Sequence, residues 1–149
     1  METFLIKNKK ELDSFADNFL TKFEPSLEGA SLVLLEGDLG SGKTTFVQSC
    51  ARYFGIEEAL TSPTFVIQKS YPIKAHQNFH KLVHIDAYRL DGHKDLEYLG
   101  WEELIQEKGI IIFLEWPLIV SGIHFPHDTV SLSFSILENE ERKIIFSKK

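Results

Sequence analysis

The stretch Gly37-Asp38-Leu39-Gly40-Ser41-Gly42-Lys43-Thr44 constrains this chain more than any other. A short apolar run, 31–35, leads straight into it, and an apolar-periodic segment, 43–54, follows and stops at Gly55. The order is therefore strand, glycine-rich turn, helix. Gly37, Gly40 and Gly42 can take backbone angles closed to other residues and let a ligand approach the main chain. Gly37, Gly42, Lys43 and Thr44 match the pattern G-x-x-x-x-G-K-[ST], and the strand before and the helix after are the context that pattern requires. In such a loop the N–H groups point inward at a helix N-terminus, where free donors and the helix dipole favour an anion. Gly37 through Thr45, with Asp38, Leu39 and Ser41 among them, are thus the candidate contacts for the phosphates of ATP or ADP. Lys43 is expected to reach the β- and γ-phosphates, and the Thr44 hydroxyl to serve Mg²⁺.

A phosphate loop that uses a metal needs acids. Asp86 closes His84-Ile85-Asp86 near the end of an apolar segment, and Glu115 follows the continuous apolar run 110–114. An acid at the carboxyl end of a buried strand faces the ligand crevice of an open α/β sheet. Asp86 and Glu115, with Thr44, are therefore the candidate metal ligands, and Lys43, Asp86 and Glu115 the candidate catalytic residues. The alternative for either acid is a strand cap or a pairing with a base. His84 reads as a general base or, more commonly for such a position, as a hydrogen-bonded structural residue. Trp116 is either core or a ring edge lining the site, since an indole can bury its body and still expose an edge.

Around these motifs the chain alternates strands and helices. Residues 3–6 read as a strand. Asn8 reads as an N-cap with Glu11 as its capping-box partner, and apolar positions 12, 15, 16, 19, 20 and 23 follow at helical spacing. Residues 57–64 read as a loop, 66–73 as a strand, 74–80 as a hairpin turn or excursion, 81–90 as a strand and 96–108 as a helix closed by Gly109. Residues 110–116 read as a strand buried on both faces. Residues 130–136 alternate apolar residues with serine, the pattern of a half-buried strand, and 143–146 read as the last strand. The fold class expected is α/β, a three-layer sandwich of the P-loop NTPase type. Its sheet is mostly parallel at the centre with antiparallel edge strands, in one domain over 1–149.

Composition bounds the function. A net charge of −6 argues against a protein that grips bare nucleic acid unaided, although an acidic chain can act on RNA that a partner holds. The single cysteine, Cys50, rules out an intrachain disulfide, suits a reducing cytosol and reads as a small core residue. Glu2 stands where a leader peptide would carry bases, and no run approaches the roughly 20 apolar residues of a membrane span, so a cytoplasmic location away from membranes is expected.

Five segments together are more specific than the loop alone. Residues 37–45 (GDLGSGKTT), 61–65 (TSPTF), 84–90 (HIDAYRL), 99–104 (LGWEEL) and 114–117 (LEWP) resemble, in order and spacing, the bacterial TsaE family. The resemblance implies an ATPase component for the formation of threonylcarbamoyladenosine on tRNA. It implies work with the TsaB–TsaD pair and contact with tRNA only through that complex. It further implies that Lys43 is the phosphate-binding lysine, that Thr44 and Glu115 hold Mg²⁺, and that Asp86 orients water or the metal shell. Ser62, Pro63 and Thr64 would form a switch-like loop near the γ-phosphate, and Trp116 would lie beside the site. Arg142 is a weaker nucleotide contact, and residues 8–10 are placed near the adenine. Tyr88 and Arg89 are candidates for a partner or phosphate contact, with a plain salt bridge as the alternative for Arg89.

Two other classes compete. A small-molecule kinase also uses a phosphate loop, but usually carries an arginine-bearing lid, and the chain's only arginines are the scattered Arg52, Arg89 and Arg142. A non-catalytic module would bind the nucleotide only as a structural element. A GTPase is disfavoured, because the only run resembling Asn-Lys-x-Asp is 8–11, which precedes the loop and ends in Glu11.

Overall fold

The computed structural model describes residues 1–58 and 67–148. The chain builds seven strands among these residues: β1 (Glu2–Ile6), β2 (Ser31–Glu36), β3 (Gln68–Pro72), β4 (Lys81–Asp86), β5 (Ile110–Glu115), β6 (Val130–Ile136) and β7 (Arg142–Lys148). They form one sheet in the order β1-β7-β6-β2-β5-β4-β3. β6, β2, β5 and β4 run parallel to one another, whereas β7 and β1 at one edge and β3 at the other are added antiparallel. Every residue of β5 is buried, which suits the β-branched run Ile110-Ile111-Ile112 between layers on both faces. In β6 Val130, Leu132 and Phe134 are buried in the core, as the alternation of apolar residues with serine predicts, but the fourth apolar position, Ile136, is exposed at the strand's end.

Helices cover both faces. α1 (Lys9–Lys22) and α2 (Lys43–Tyr53) pack Phe15, Ala16, Phe46, Val47 and Cys50 against Val33, Leu35, Phe113 and Leu132. α3 (His93–Tyr98), α4 (Trp101–Leu104) and the 3-10 turn Pro117–Val120 close the other face with Leu96, Trp101 and Val120 over Leu34, Ile112 and Leu114. The expected three layers are present. Cys50 is fully buried, and burial pushes its thiol well above the ordinary range, as fits a core residue.

Local chemistry explains the boundaries. The Asn8 side chain accepts from the Glu11 N–H at 2.9 Å, so Asn8 is the N-cap. The reciprocal bond departs from a capping box: Glu11 takes the N–H of Lys7 rather than that of Asn8, at 2.7 Å. The helix expected over 96–108 is two short helices. Gly100 enters the left-handed region at φ 86° and breaks the axis between Tyr98 and Trp101. The strand expected over 81–90 ends at Asp86: the Ala87 N–H makes one more bond to β5, at the Glu115 carbonyl, and the chain then turns, with the Leu90 N–H on the Ala87 carbonyl. Residues 74–80 do join β3 to β4 as a hairpin, with the Ile73 N–H on the His80 carbonyl at 2.8 Å. Among the described residues no helix is long and apolar enough to cross a membrane.

Candidate functional site

The glycine-rich loop hangs between the carboxyl end of β2 and the start of α2. Gly37, Gly40 and Gly42 all have positive φ, at 141°, 78° and 110°. Gly37 is also a close-approach position: a Cβ there would stand 2.5 Å from the Phe134 carbonyl oxygen and 2.7 Å from Ser41 Oγ. Ser41 is itself buried, and its hydroxyl has no hydrogen-bond partner among the described residues. Buried hydroxyls are nearly always satisfied, so an unmatched one inside a phosphate-type loop fits a bound oxyanion.

Lys43, the first residue of α2, is 4% exposed. Its Nζ bonds the carbonyls of Gly37 and Asp38 and lies 3.8 Å from the centre of a Trp116 ring. Burial lowers the lysine's pKa, and the nearby Glu115, Asp86 and Asp38 partly offset that. An ammonium held by two carbonyls and an aromatic face is a cation aimed at the loop.

The acids approach from the neighbouring strands. Parallel pairing sets Asp86 of β4 directly opposite Glu115 of β5, and β5 lies beside β2. Thr44 Oγ1 donates to Glu115 Oε2 at 2.9 Å, with Oε1 at 3.2 Å. Glu115 is 2% exposed and also receives His84 Nε2 at 2.5 Å. Asp86 is half-buried and accepts the Tyr88 N–H at 3.0 Å. Burial raises the Asp86 pKa and the Glu115 charge adds to this, while the Tyr88 N–H, His84 and Lys43 oppose it. Among the described residues no group of three or more His, Cys, Asp or Glu side chains is placed to hold a metal. One hydroxyl and two carboxylates nevertheless fit Mg²⁺, which takes few protein oxygens and completes its shell with water and phosphate.

Trp116 follows Glu115 in the left-handed region, at φ 61°. Its N–H bonds the Leu35 carbonyl at 3.2 Å, and its ring is half-buried, 5.0 Å from that of Tyr88. The ring does both: it packs against the core of that face and also lines the cavity beside the loop. A cavity of about 460 Å³ extends from the loop past Trp116 to Asn8, Lys9, Glu140 and Arg142. Arg142, Asn8 and Lys9 thus line this cavity, whereas Lys10 of the expected 8–10 segment does not. Arg142 bonds the Glu140 carbonyl at 2.5 Å, and Glu140 has a positive φ of 66°. Sequence reasoning did not single out Lys7 or Glu140, which line the same cavity; neither sits in a motif, and only tertiary folding brings β1 and the β6–β7 turn to the loop. Leu39 is 65% exposed at the cavity mouth. Arg89 is exposed and outside the lining. The expected contacts Ser62, Pro63 and Thr64 lie outside the described residues.

The family model described as "Threonylcarbamoyl adenosine biosynthesis protein TsaE" matches residues 6–144. The chain belongs to the TsaE family. Among TsaE proteins, that of Borreliella burgdorferi is 37% identical over 132 residues, covering 88% of this chain and 89% of its own. The Rickettsia typhi TsaE is 31% identical over 145 residues, covering 97% and 93%. A solved structure, "Crystal structure of Bacillus subtilus YdiB", superposes with a TM-score of 0.75 at 25% identity, covering 99% of this chain and 84% of that one. The TsaE match spans the loop, both acids, Trp116 and Arg142.

Proposed function

We propose that this chain binds ATP with Mg²⁺ and hydrolyses it in the biosynthesis of threonylcarbamoyladenosine on tRNA. Its place in that biosynthesis follows from TsaE membership. The observation that carries the hydrolytic reading is the meeting of Thr44 Oγ1 with Glu115 Oε2, 2.9 Å apart, next to the phosphate loop and opposite Asp86. The partner is the TsaB–TsaD pair, in the cytoplasm, with tRNA reached through that complex.

The inward N–H groups of 37–44 hold phosphate oxygens at the start of α2. Lys43 exchanges its bonds to loop carbonyls for bonds to the β- and γ-phosphates and neutralises charge that develops there. Mg²⁺ held by Thr44 and Glu115 would supply further neutralisation of the charge that develops on the phosphates. Thr44 and Glu115 hold the metal side of the site, and Asp86 orients the attacking water in line with the γ-phosphate. Trp116 covers the Lys43 ammonium and keeps bulk water from it. The TsaE resemblance of residues 61–65 supports a switch that answers the loss of the γ-phosphate, which makes the chain partner-dependent.

The test is release of inorganic phosphate by wild type and Lys43→Ala, each with and without the TsaB–TsaD pair and tRNA. Wild type is expected to turn over little alone and much more with partners, and Lys43→Ala not at all. Full turnover by the isolated chain would refute the switch, and transfer of labelled γ-phosphate to a metabolite would point to a kinase.

A further inference from the structure

His84 is a fully buried polar side chain with no task in the chemistry above. It stands on β4 two residues after the core residue Leu82, where an aliphatic side chain would escape the desolvation cost of an imidazole. Its Nε2 lies 2.5 Å from Glu115 Oε2, the same oxygen that accepts the Thr44 hydroxyl. Its Nδ1 is buried with no hydrogen-bond partner among the described residues. That asymmetry assigns the tautomer. With Nε2–H donating, Nδ1 carries only a lone pair, whereas a ring protonated on both nitrogens would bury an unmatched N–H. Among the described residues the ring has one hydrogen-bond partner and no exposure, which fits a hydrogen-bonded structural residue better than a general base.

The register pairs His84 with Phe113 and Asp86 with Glu115. Glu115 therefore has a like charge directly opposite and a donor on the diagonal. Opposed like charges repel across a strand pair, while a diagonal partner is still within reach of a long side chain. We infer that His84 is a positioning residue: it draws the Glu115 carboxylate off Asp86 and holds it against Thr44, presetting the hydroxyl–carboxylate pair that receives the divalent cation. This inference rests on reading the site as one for Mg²⁺ and ATP.

The test uses Mn²⁺ as the probe, with its binding read by EPR in the presence of a non-hydrolysable ATP analogue. His84→Asn keeps a polar amide but has no donor at the Nε2 position. It is expected to weaken Mn²⁺ binding about 10–100-fold, the usual effect of removing a partner of a metal ligand. Analogue binding in EDTA should stay within a few-fold of wild type. His84→Gln, whose amide nitrogen reaches to the Nε2 position, is expected to restore most of the Mn²⁺ affinity. Should the Asn variant not fold, His84→Leu, which fills the space with apolar atoms, carries the same prediction. Equal Mn²⁺ binding by the Asn (or Leu) and Gln variants overturns the inference. So does an equal loss of analogue binding in EDTA, which would mark His84 as a residue of the fold alone. If wild type binds no Mn²⁺ with the analogue, the metal–nucleotide reading itself falls. Normal wild-type binding with an unaffected Asn variant sinks only the role of His84.

Discussion

Thr44 and Glu115 are 71 residues apart in the chain and 2.9 Å apart in space. Their contact joins the start of α2 to the end of β5, and it turns a phosphate loop into a site with a hydroxyl and a carboxylate converging beside it. Glu115→Gln keeps the shape of the side chain but removes its charge. ATP turnover should fall by several kcal/mol of transition-state stabilisation, on the order of a hundredfold or more. Binding of the nucleotide in EDTA should change little. Near-wild-type phosphate release by the Gln variant would remove Glu115 from the chemistry.

Asp86 gives a pH signature. Burial and the Glu115 charge raise its pKa above the ordinary 3.8. The folded chain then binds that proton more readily than the unfolded chain. The stability this group contributes is complete below 3.8 and is lost as the pH rises through the raised value. Asp86→Asn removes that loss and can still accept the Tyr88 N–H. Without nucleotide, the variant should be at least as stable as wild type at neutral pH, with the difference shrinking as the pH falls towards 3.8. Its ATP turnover should be abolished. Thermal midpoints measured across this range check the sign; a variant less stable than wild type at neutral pH would contradict it.

Gly37 has no room for a side chain. An added Cβ would meet a backbone carbonyl at 2.5 Å, and the φ of 141° is strained for any other residue. Strain of about 1–3 kcal/mol is expected from Gly37→Ala. Because the loop can relieve it only by leaving the phosphate-binding geometry, nucleotide affinity should fall about tenfold or more. Isothermal titration with ATP measures this. Unchanged affinity would mean that the loop can carry a Cβ there after all.

Phe46 is the apolar anchor of α2 beneath the loop. It is fully buried and packs its ring 5.7 Å from those of Phe15 and Phe134 and 6.1 Å from that of Phe113. Phe46→Ala should cost about 3–5 kcal/mol of stability. Urea unfolding should show a lower midpoint with little change in slope. A loss under about 1 kcal/mol would show that the surrounding rings collapse into the space.

The sequence was most legible where the physics is local. The loop, the strand before it and the helix after it occupy 31–54, and each follows from residues a few positions apart. The serine alternation in β6 and the apolar run of β5 likewise declared their burial. The break at Gly100 was not legible in the same way. A glycine within a helical pattern costs only about 1 kcal/mol, so it does not by itself say whether the axis continues. At the site, Lys43, Thr44, Asp86 and Glu115 were found from motifs and strand ends. Lys7 and Glu140 were missed because nothing in their neighbours marks them; β1 reaches the cavity through its pairing with β7.

By itself the sequence marked the groups proposed for this protein's chemistry: a glycine-rich loop, one lysine, one hydroxyl and two acids at strand ends. It also carried the motifs that mark the TsaE family. Only the tertiary structure decided how those groups meet. Strand order and register place Asp86 across from Glu115, bring Glu115 to Thr44, and let His84 reach Glu115 on the diagonal. Periodicity says which face of a strand is buried, but not which strand lies beside it. That choice is made when the two helical layers close on one sheet, through contacts between residues far apart in the chain.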